Sequence, residues 1–418
     1  MYLKELTNQE FKEFSLKFNQ KSIYQTIEYG FTMNAQKFDV LFLGLVDNSN
    51  NVIAATLVLI EHLSKFKYAY APRGFLLDYN NNNLLSLFTK EIKKYLNKKN
   101  VMAIKLCPMI TKSIYDYKNN IVTNNSYFDV IYNNLINLGY HHYGYNSYFE
   151  ALKPRCEAII DLDLPHYILF RNIKKEYRTK IRTAIRSGIE VIKGNEKNLE
   201  YLYLQTKQKY PRDLKYFTDL YNHFARENNI EFYYTKLNTE KYLKYIQRKY
   251  HEYEFLTNKI NNMLIANPNL PDNSKLIIKK LDTDKIFDKY KKKLIEATKL
   301  LKNHPNGIIT ASMLIAKNGN ELFNVIDGYD NKYKHLNSKH LLIWKIMEIY
   351  ANSDFKKFNL NGIASPYIPN NKYKGLNDFK LNFNALAYEY IGDLELITNN
   401  KLYFMYRNTA PLRNILKR

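Results

Sequence analysis

The chain has 418 residues, 45% of them hydrophobic, with 63 Lys plus Arg against 40 Asp plus Glu, a formal charge of +23. This length and apolar content suit a globular protein of two or three domains and exclude a disordered or fibrous one. The excess of cations points to a polyanionic partner such as RNA, a diphosphate or an anionic membrane surface, or else to the Asn-, Lys-, Ile- and Tyr-rich coding of an AT-rich genome.

The start, MYLKELTNQEFKEF, is amphipathic and charged where a signal peptide would be apolar. The longest apolar run, Val52 to Ile60, is too short to span a bilayer, so a cytoplasmic protein is expected. Cys107 and Cys156 stand far apart, with no Cys-x-x-Cys and no companion histidine, which fits a reducing compartment and no zinc site. KFDVLFLGLVDNSNNVIAATLVLIEH reads as two strands around an Asp-Asn-Ser-Asn-Asn turn. LLSLFTKEIKKYLNKKN reads as an amphipathic helix leading to the strand VMAIKLCP, and DVIYNNLINLGYHHYG as a helix ending at Gly139. A second unit begins near Pro154 with the strand EAIIDLDL, one basic helix HYILFRNIKKEYRTKIRTAIRSG stopped at Gly188, the strand IEVIKG, a helical run from Leu199 to Asn229 and the strand IEFYYTKL.

From Thr239 to Asn303 the pattern changes to two long runs with apolar residues at three-or-four spacing, interrupted by NPNLPDN at 267–273. This predicts an antiparallel helical hairpin with 15 Lys plus Arg less 8 Asp plus Glu, a charge of +7. Strand and helix alternation resumes at Gly307 with GIITASMLIAKNG, ELFNVIDG, the helix HLNSKHLLIWKIMEIYANS and the strand KKFNLNGI. The closing stretch FKLNFNALAYEYIGDLEL, Phe379 to Leu396, reads as an aromatic strand with Lys380 at its mouth. The expected fold is α+β. The expected units are residues 1–152, residues 153–238 with 304–418, and the hairpin 239–303 inserted into the second.

The chain lacks G-x-G-x-x-G, G-x-x-x-x-G-K-[ST], H-E-x-x-H and G-x-S-x-G, which removes the usual support for dinucleotide redox chemistry, nucleotide hydrolysis, zinc proteolysis and serine hydrolysis. None of the 13 glycines follows Gln or Arg by three residues, as the pyrophosphate turn of a common acyl-CoA site requires. His141, His142, His335 and His340 have no carboxylate or thiol at ligand spacing and are expected to pack or face solvent.

Six segments in order, QTIEYG (25–30), APRGFLLDY (71–79), IRTAIRSGIEV (181–191), PRDLKYF (211–217), LLIWKIMEIYANSDFKKFNLNGI (341–363) and GLNDFKLNFNALAYEYIGDLEL (375–396), together with the hairpin, give a chain that resembles the Fem family of tRNA-dependent aminoacyl transferases, FemA, FemB, FemX and MurM among them. The resemblance implies two acetyltransferase-like subdomains facing one cleft, no cofactor and no metal. It implies an aminoacyl-tRNA donor and, as acceptor, a peptidoglycan precursor, lipid II or UDP-MurNAc-pentapeptide. Peripheral contact with the inner membrane surface and a homo- or heterodimer with a related transferase are left open.

On this resemblance Lys380 falls on the family's oxyanion-stabilising lysine and Phe379 on the residue that positions the aminoacyl end; preorganised charge at a developing oxyanion is the strongest help a protein gives an ester that is already activated. Without the motif, Lys380 reads as a charge that protects a strand edge. Arg212 and Tyr216, four apart on a predicted helix, match the residues that hold the precursor's diphosphate and peptide, and a guanidinium fork suits a diphosphate. Arg73 is expected to organise the cleft. Between Arg171 and Arg186 lie seven basic residues and one acidic, and Lys174, Lys175, Arg178, Arg182 and Arg186 are spaced to track a tRNA backbone or to form a solvated helix face.

Three positions depart from the family pattern. Its precursor-binding lysine falls on Met33, with Lys37 the nearest substitute; its Asp-Pro is Cys107-Pro108; and its Gly-Gly-Ser/Thr turn is Asp327-Gly328-Tyr329, expected to crowd the cleft. Two other readings stand beside the aminoacyl transferase: an N-acyltransferase of the same fold with a thioester donor, and a non-catalytic RNA-binding protein.

Overall fold

In chain order the elements are β1 (Tyr2–Glu5), α1 (Asn8–Lys17), α2 (Ile27–Ala35), β2 (Asp39–Val46), β3 (Val52–Leu63), β4 (Phe66–Ala71), α3 (Asn82–Lys98), β5 (Val101–Leu106), β6 (Thr111–Tyr115), β7 (Ile121–Asn124), α4 (Phe128–Asn137) and β8 (Tyr140–His142). They continue as β9 (Cys156–Asp161), α5 (His166–Asn172), α6 (Lys175–Arg186), β10 (Ile189–Gly194), α7 (Leu199–Thr206), α8 (Leu214–Ala225), β11 (Ile230–Leu237), α9 (Thr239–Ala266) and α10 (Asn273–Asn303). The last are β12 (Ile308–Asn318), β13 (Glu321–Tyr329), α11 (Ser338–Tyr350), β14 (Lys357–Ile363), α12 (Lys374–Leu381), β15 (Leu386–Tyr390), β16 (Leu394–Ile397) and α13 (Asn400–Thr409). These come from a computed structural model that describes residues 1–151, 153–208, 212–266, 273–366, 368 and 370–409. Pro211 and most of the expected break at 267–273 fall outside the described residues.

Local chemistry accounts for many of these boundaries. Thr7 and Glu10 form a reciprocal capping box on α1. The Asp47 carboxylate accepts from the amides of Ser49 and Asn51 and closes the β2–β3 turn. Gly139 and Gly188 take left-handed φ angles just past α4 and α6, as the sequence suggests for helix stops.

Two sheets carry the fold. The seven-stranded sheet runs β1-β2-β3-β4-β5-β16-β8 and the nine-stranded sheet β10-β11-β12-β13-β14-β9-β15-β6-β7. The α+β class is as expected, and the expected division at residue 152 is crossed by strands: β6 and β7 join the second sheet, and β16 returns to the first. Each sheet is antiparallel except for one parallel pair, β4 with β5 and β13 with β14. The pairs differ in one respect. The first is paired from Lys67 to Ala71, with one register shift after Lys67, whereas β13 and β14 pair only at Glu321–Phe323 with Lys357–Asn359 and then diverge.

Three expected elements need correction. The single basic helix is two, because the Lys174 amide donates to the Asn382 carbonyl (3.1 Å) and this tertiary bond replaces a helical one between α5 and α6. The run from Leu199 to Asn229 is likewise two helices, α7 and α8. Phe379 and Lys380 lie on helix α12, not at a strand mouth: the Asn377 side chain grips both backbone groups of Ala364, and Lys374 pairs with Asp378 one turn away. The strand begins only at Leu386 and ends before Gly392 at φ +96°.

Helices α9 and α10 form the expected hairpin, with the Tyr253 and Tyr290 rings stacked across its seam at 5.4 Å. Its base is tied down: Tyr242, Ile246 and Ala297 belong to the core around β9, β12 and α11. Farther out, Phe255 is 66% exposed, against 1% for Ile246. Ile246→Asp should therefore lower stability by roughly 3 kcal/mol or more, through an unpaired buried charge. Phe255→Asp should change it by less than about 0.5 kcal/mol. Chemical denaturation checks both, and equal effects would contradict a tethered base with a solvated outer arm.

Candidate active site

Where β13 and β14 part, backbone groups lose their strand partner. Asn361, at φ +69°, fills the fork by directing its amide to the carbonyls of Asn324 (3.3 Å) and Val325 (3.4 Å). The next carbonyl, Gly362 O, accepts from Lys380 Nζ at 2.7 Å. Gly362 must be glycine, because a Cβ there would lie 2.2 Å from Pro154 Cγ. Lys380 is thereby an ammonium 8% exposed, fixed at the open end of the parallel pair. Burial lowers its pKa to about 8, while Asp327 favours the charged form and Lys339 opposes it. Asp327 does not project freely into the cleft. It is ion-paired with Lys339 and accepts from the Asn324 amide at 2.8 Å; burial raises its pKa, but Lys339 and Lys380 overcome this and hold it low.

Phe379 forms the adjoining wall. Its ring meets His340 at 5.1 Å and Phe383 at 5.8 Å, and Lys339 Nζ lies 4.7 Å from its centroid. His340 packs edge-on to Tyr177 at 4.6 Å, and burial lowers its pKa to about 3, so it is a neutral packing group. Tyr177 sits on α6 and donates to the Asp378 carbonyl at 3.3 Å, which joins the basic helix to the helix that carries Lys380. On α6 and at its entry, Lys174, Lys175, Arg182 and Arg186 are exposed and Arg178 is half-buried. Arg182 stacks on Phe170 at 5.1 Å, and the Arg186 Nε donates back to the Arg182 carbonyl at 3.3 Å.

Arg73 is wholly inside, 3% exposed, and at φ +55°. Its Nη2 reaches Glu157 Oε1 at 2.5 Å and the Pro154 carbonyl at 2.8 Å, and the guanidinium lies 5.1 Å from the Tyr390 ring. Asn359 donates to the other Glu157 oxygen at 2.7 Å. Arg73 thus bolts the loop after β4 to β9 and β14.

A second cluster lies near Arg73. Arg212 was expected on one helix with Tyr216 but lies before it: Asp213 is the N-cap of α8 and accepts the Tyr216 amide at 2.8 Å, leaving Arg212 just outside. The guanidinium nevertheless folds over the Tyr216 ring at 4.7 Å. Tyr29, in the QTIEYG segment, and Tyr24, just before it, meet at 5.1 Å, and Gln25 anchors that segment to the Pro72 carbonyl at 2.8 Å. Between these groups stands Lys153, which the sequence reading passed over. Its Nζ lies 3.4 Å from the Tyr24 centroid and 5.9 Å from that of Tyr29. Burial, then the neighbouring Arg73, lowers its pKa to about 7.

The departures resolve locally. Met33 is core, 4% exposed, whereas Lys37 is exposed at the end of α2. Cys107 is a buried thiol beside Tyr70 (3.2 Å), its pKa raised by burial against the pull of Arg73. Glu157, Asn359 and Lys339 were also missed. Each is an ordinary polar residue on a strand or helix, and only the KPR triplet at 153–155 offered a sequence signal, a basic run at a unit junction.

The model of the FemAB family matches residues 6–410. The chain is a FemAB family member. Among its relatives, aminoacyltransferase FemA of Staphylococcus epidermidis is 24% identical over 418 residues, spanning 98% of this chain and 99% of that protein. The FemA of Staphylococcus aureus strain MRSA252 is 24% identical over 412 residues, 96% of each. A crystal structure of FemX superposes with a TM-score of 0.72 at 19% identity, covering 97% of this chain and 99% of that one, and shares the fold. An aminoacyltransferase is therefore the enzyme class.

Lys380 yields a signed test. Between its folded pKa of about 8 and the ordinary 10.5, the unfolded chain holds a proton that the folded chain has lost, so stability from this group rises with pH across that window. The stability difference between wild type and Lys380→Met should grow in favour of wild type from pH 8 to 10.5, read by denaturant titrations. A flat difference would mean a solvated ammonium.

Proposed function

We propose that this transferase moves an amino acid from an aminoacyl-tRNA to an amino group on the stem peptide of a peptidoglycan precursor, lipid-linked or UDP-linked, building an interpeptide bridge in the cytoplasm. The observation that carries the reading is the Lys380 ammonium fixed at the fork of β13 and β14, with an aromatic wall on one side and a basic helix leading to it. Among the described residues no helix is long and apolar enough to cross a membrane, so a lipid-linked acceptor would be met at a surface.

In this mechanism the acceptor amine attacks the ester carbonyl. Carbon–nitrogen bond formation places negative charge on the carbonyl oxygen, beside Lys380 Nζ. Collapse breaks the carbon–oxygen bond; the 3′-terminal hydroxyl of the tRNA departs with a proton, and the amine gives one up. With a pKa of about 8, Lys380 is mostly charged at neutral pH, as oxyanion stabilisation requires. Phe379 shapes the space for the aminoacyl end. Lys174, Lys175, Arg178, Arg182 and Arg186 contact the tRNA backbone, with the charged hairpin as a second support, while Arg212 and Tyr216 face the acceptor.

Transfer assayed with a panel of aminoacyl-tRNAs and with lipid-linked and UDP-linked precursors tests this. Lys380→Ala should lower kcat by about 100- to 1,000-fold while tRNA affinity stays within twofold. Lys175→Ala with Arg182→Ala should weaken tRNA binding and reduce its salt dependence. Unchanged transfer by Lys380→Ala, or no transfer to any precursor by wild type, would contradict the proposal.

A further inference from the structure

Charge accounting singles out the second cluster. Arg73 is neutralised by Glu157. Lys153 and Arg212 have no ion-pair partner among the described residues, whereas Lys339 is paired with Asp327 and Lys317 with Glu231. Each is held on aromatic faces instead: Lys153 on Tyr24 and Tyr29, Arg212 on Tyr216. Stacking on a ring keeps a cation in place but leaves its charge unanswered and most of its N–H donors unused.

The two cations also repel each other, since Arg212 is among the groups that disfavour charge on Lys153, along with the closer Arg73. Two like charges converging on a half-buried tyrosine-lined site are costly in the empty protein, and a bound anion relieves that cost.

We propose that Lys153 joins Arg212 in a two-cation clamp for the diphosphate of the acceptor. This rests on the transfer reading above. The segment that carries Lys153 also touches the reaction site, since Pro154 packs on Gly362, whose carbonyl holds Lys380. Lys153 is thus a binding residue on the acceptor side, one residue from the floor beneath Lys380, and seating the diphosphate there fixes how far the stem-peptide amine reaches.

The test uses the full chain. Wild type, Lys153→Gln and Lys153→Arg are compared for transfer to the precursor and for binding of inorganic pyrophosphate by calorimetry. Lys153→Gln should raise the KM for the precursor about tenfold or more, with kcat and the KM for aminoacyl-tRNA within about twofold, and should abolish pyrophosphate binding. Lys153→Arg should restore both within about threefold, which a merely structural role would not predict. If wild type transfers normally and Lys153→Gln leaves the precursor KM unchanged, the clamp is wrong and the transfer reading stands. If wild type binds pyrophosphate through Lys153 but modifies no precursor, the transfer reading fails and the anion site stands. Pyrophosphate binding that is indifferent to Lys153 overturns the clamp.

Discussion

The parting of β13 from β14 is the constraint on which the rest depends. A parallel pair that stays zipped satisfies its own backbone, as β4 and β5 do. Once the strands diverge after Phe323 and Asn359, carbonyls at the fork need other donors, and Asn361 and Lys380 supply them. An ammonium recruited in this way is fixed in direction before any substrate arrives. The cost of burying it shows in its lowered pKa, and is offset by the Gly362 carbonyl and the charge of Asp327. The two sheets are alike in having one parallel pair and unlike in one respect: only in the second does that pair diverge.

Around the fork, charged groups divide into paired and unpaired sets. Arg73–Glu157 and Lys339–Asp327 are closed pairs that hold loops and strands in place. Among the described residues Lys380, Lys153, Arg212 and most of the basic residues on α6 have no ion-pair partner, and in the proposed mechanism they meet a developing charge or an approaching anion.

Much of the fold was legible because period and punctuation agreed. The hairpin strands β2 and β3, the amphipathic α3 and the long arm each satisfy one local pattern over many residues. Failures came where a tertiary bond overrode that pattern. Asn382 breaks the basic helix through Lys174, and Asn377 grips Ala364 so that Phe379 and Lys380 become helical. Strand exchange by β6, β7 and β16 was invisible, since nothing local tells a strand which sheet it will join. For the site, motif order marked Lys380, Arg212 and Arg73. Lys153, Glu157 and Lys339 were missed because what sets them apart is the charge facing them across the fold.

The central claim is that Lys380 faces the carbonyl oxygen under attack. A crystal structure with a stable phosphonate conjugate of the aminoacyl end and the acceptor amine tests this directly. The account predicts Lys380 Nζ within about 3 Å of a phosphonate oxygen, with the Phe379 ring alongside. A conjugate bound elsewhere, with Lys380 still engaged only by Gly362, would contradict it.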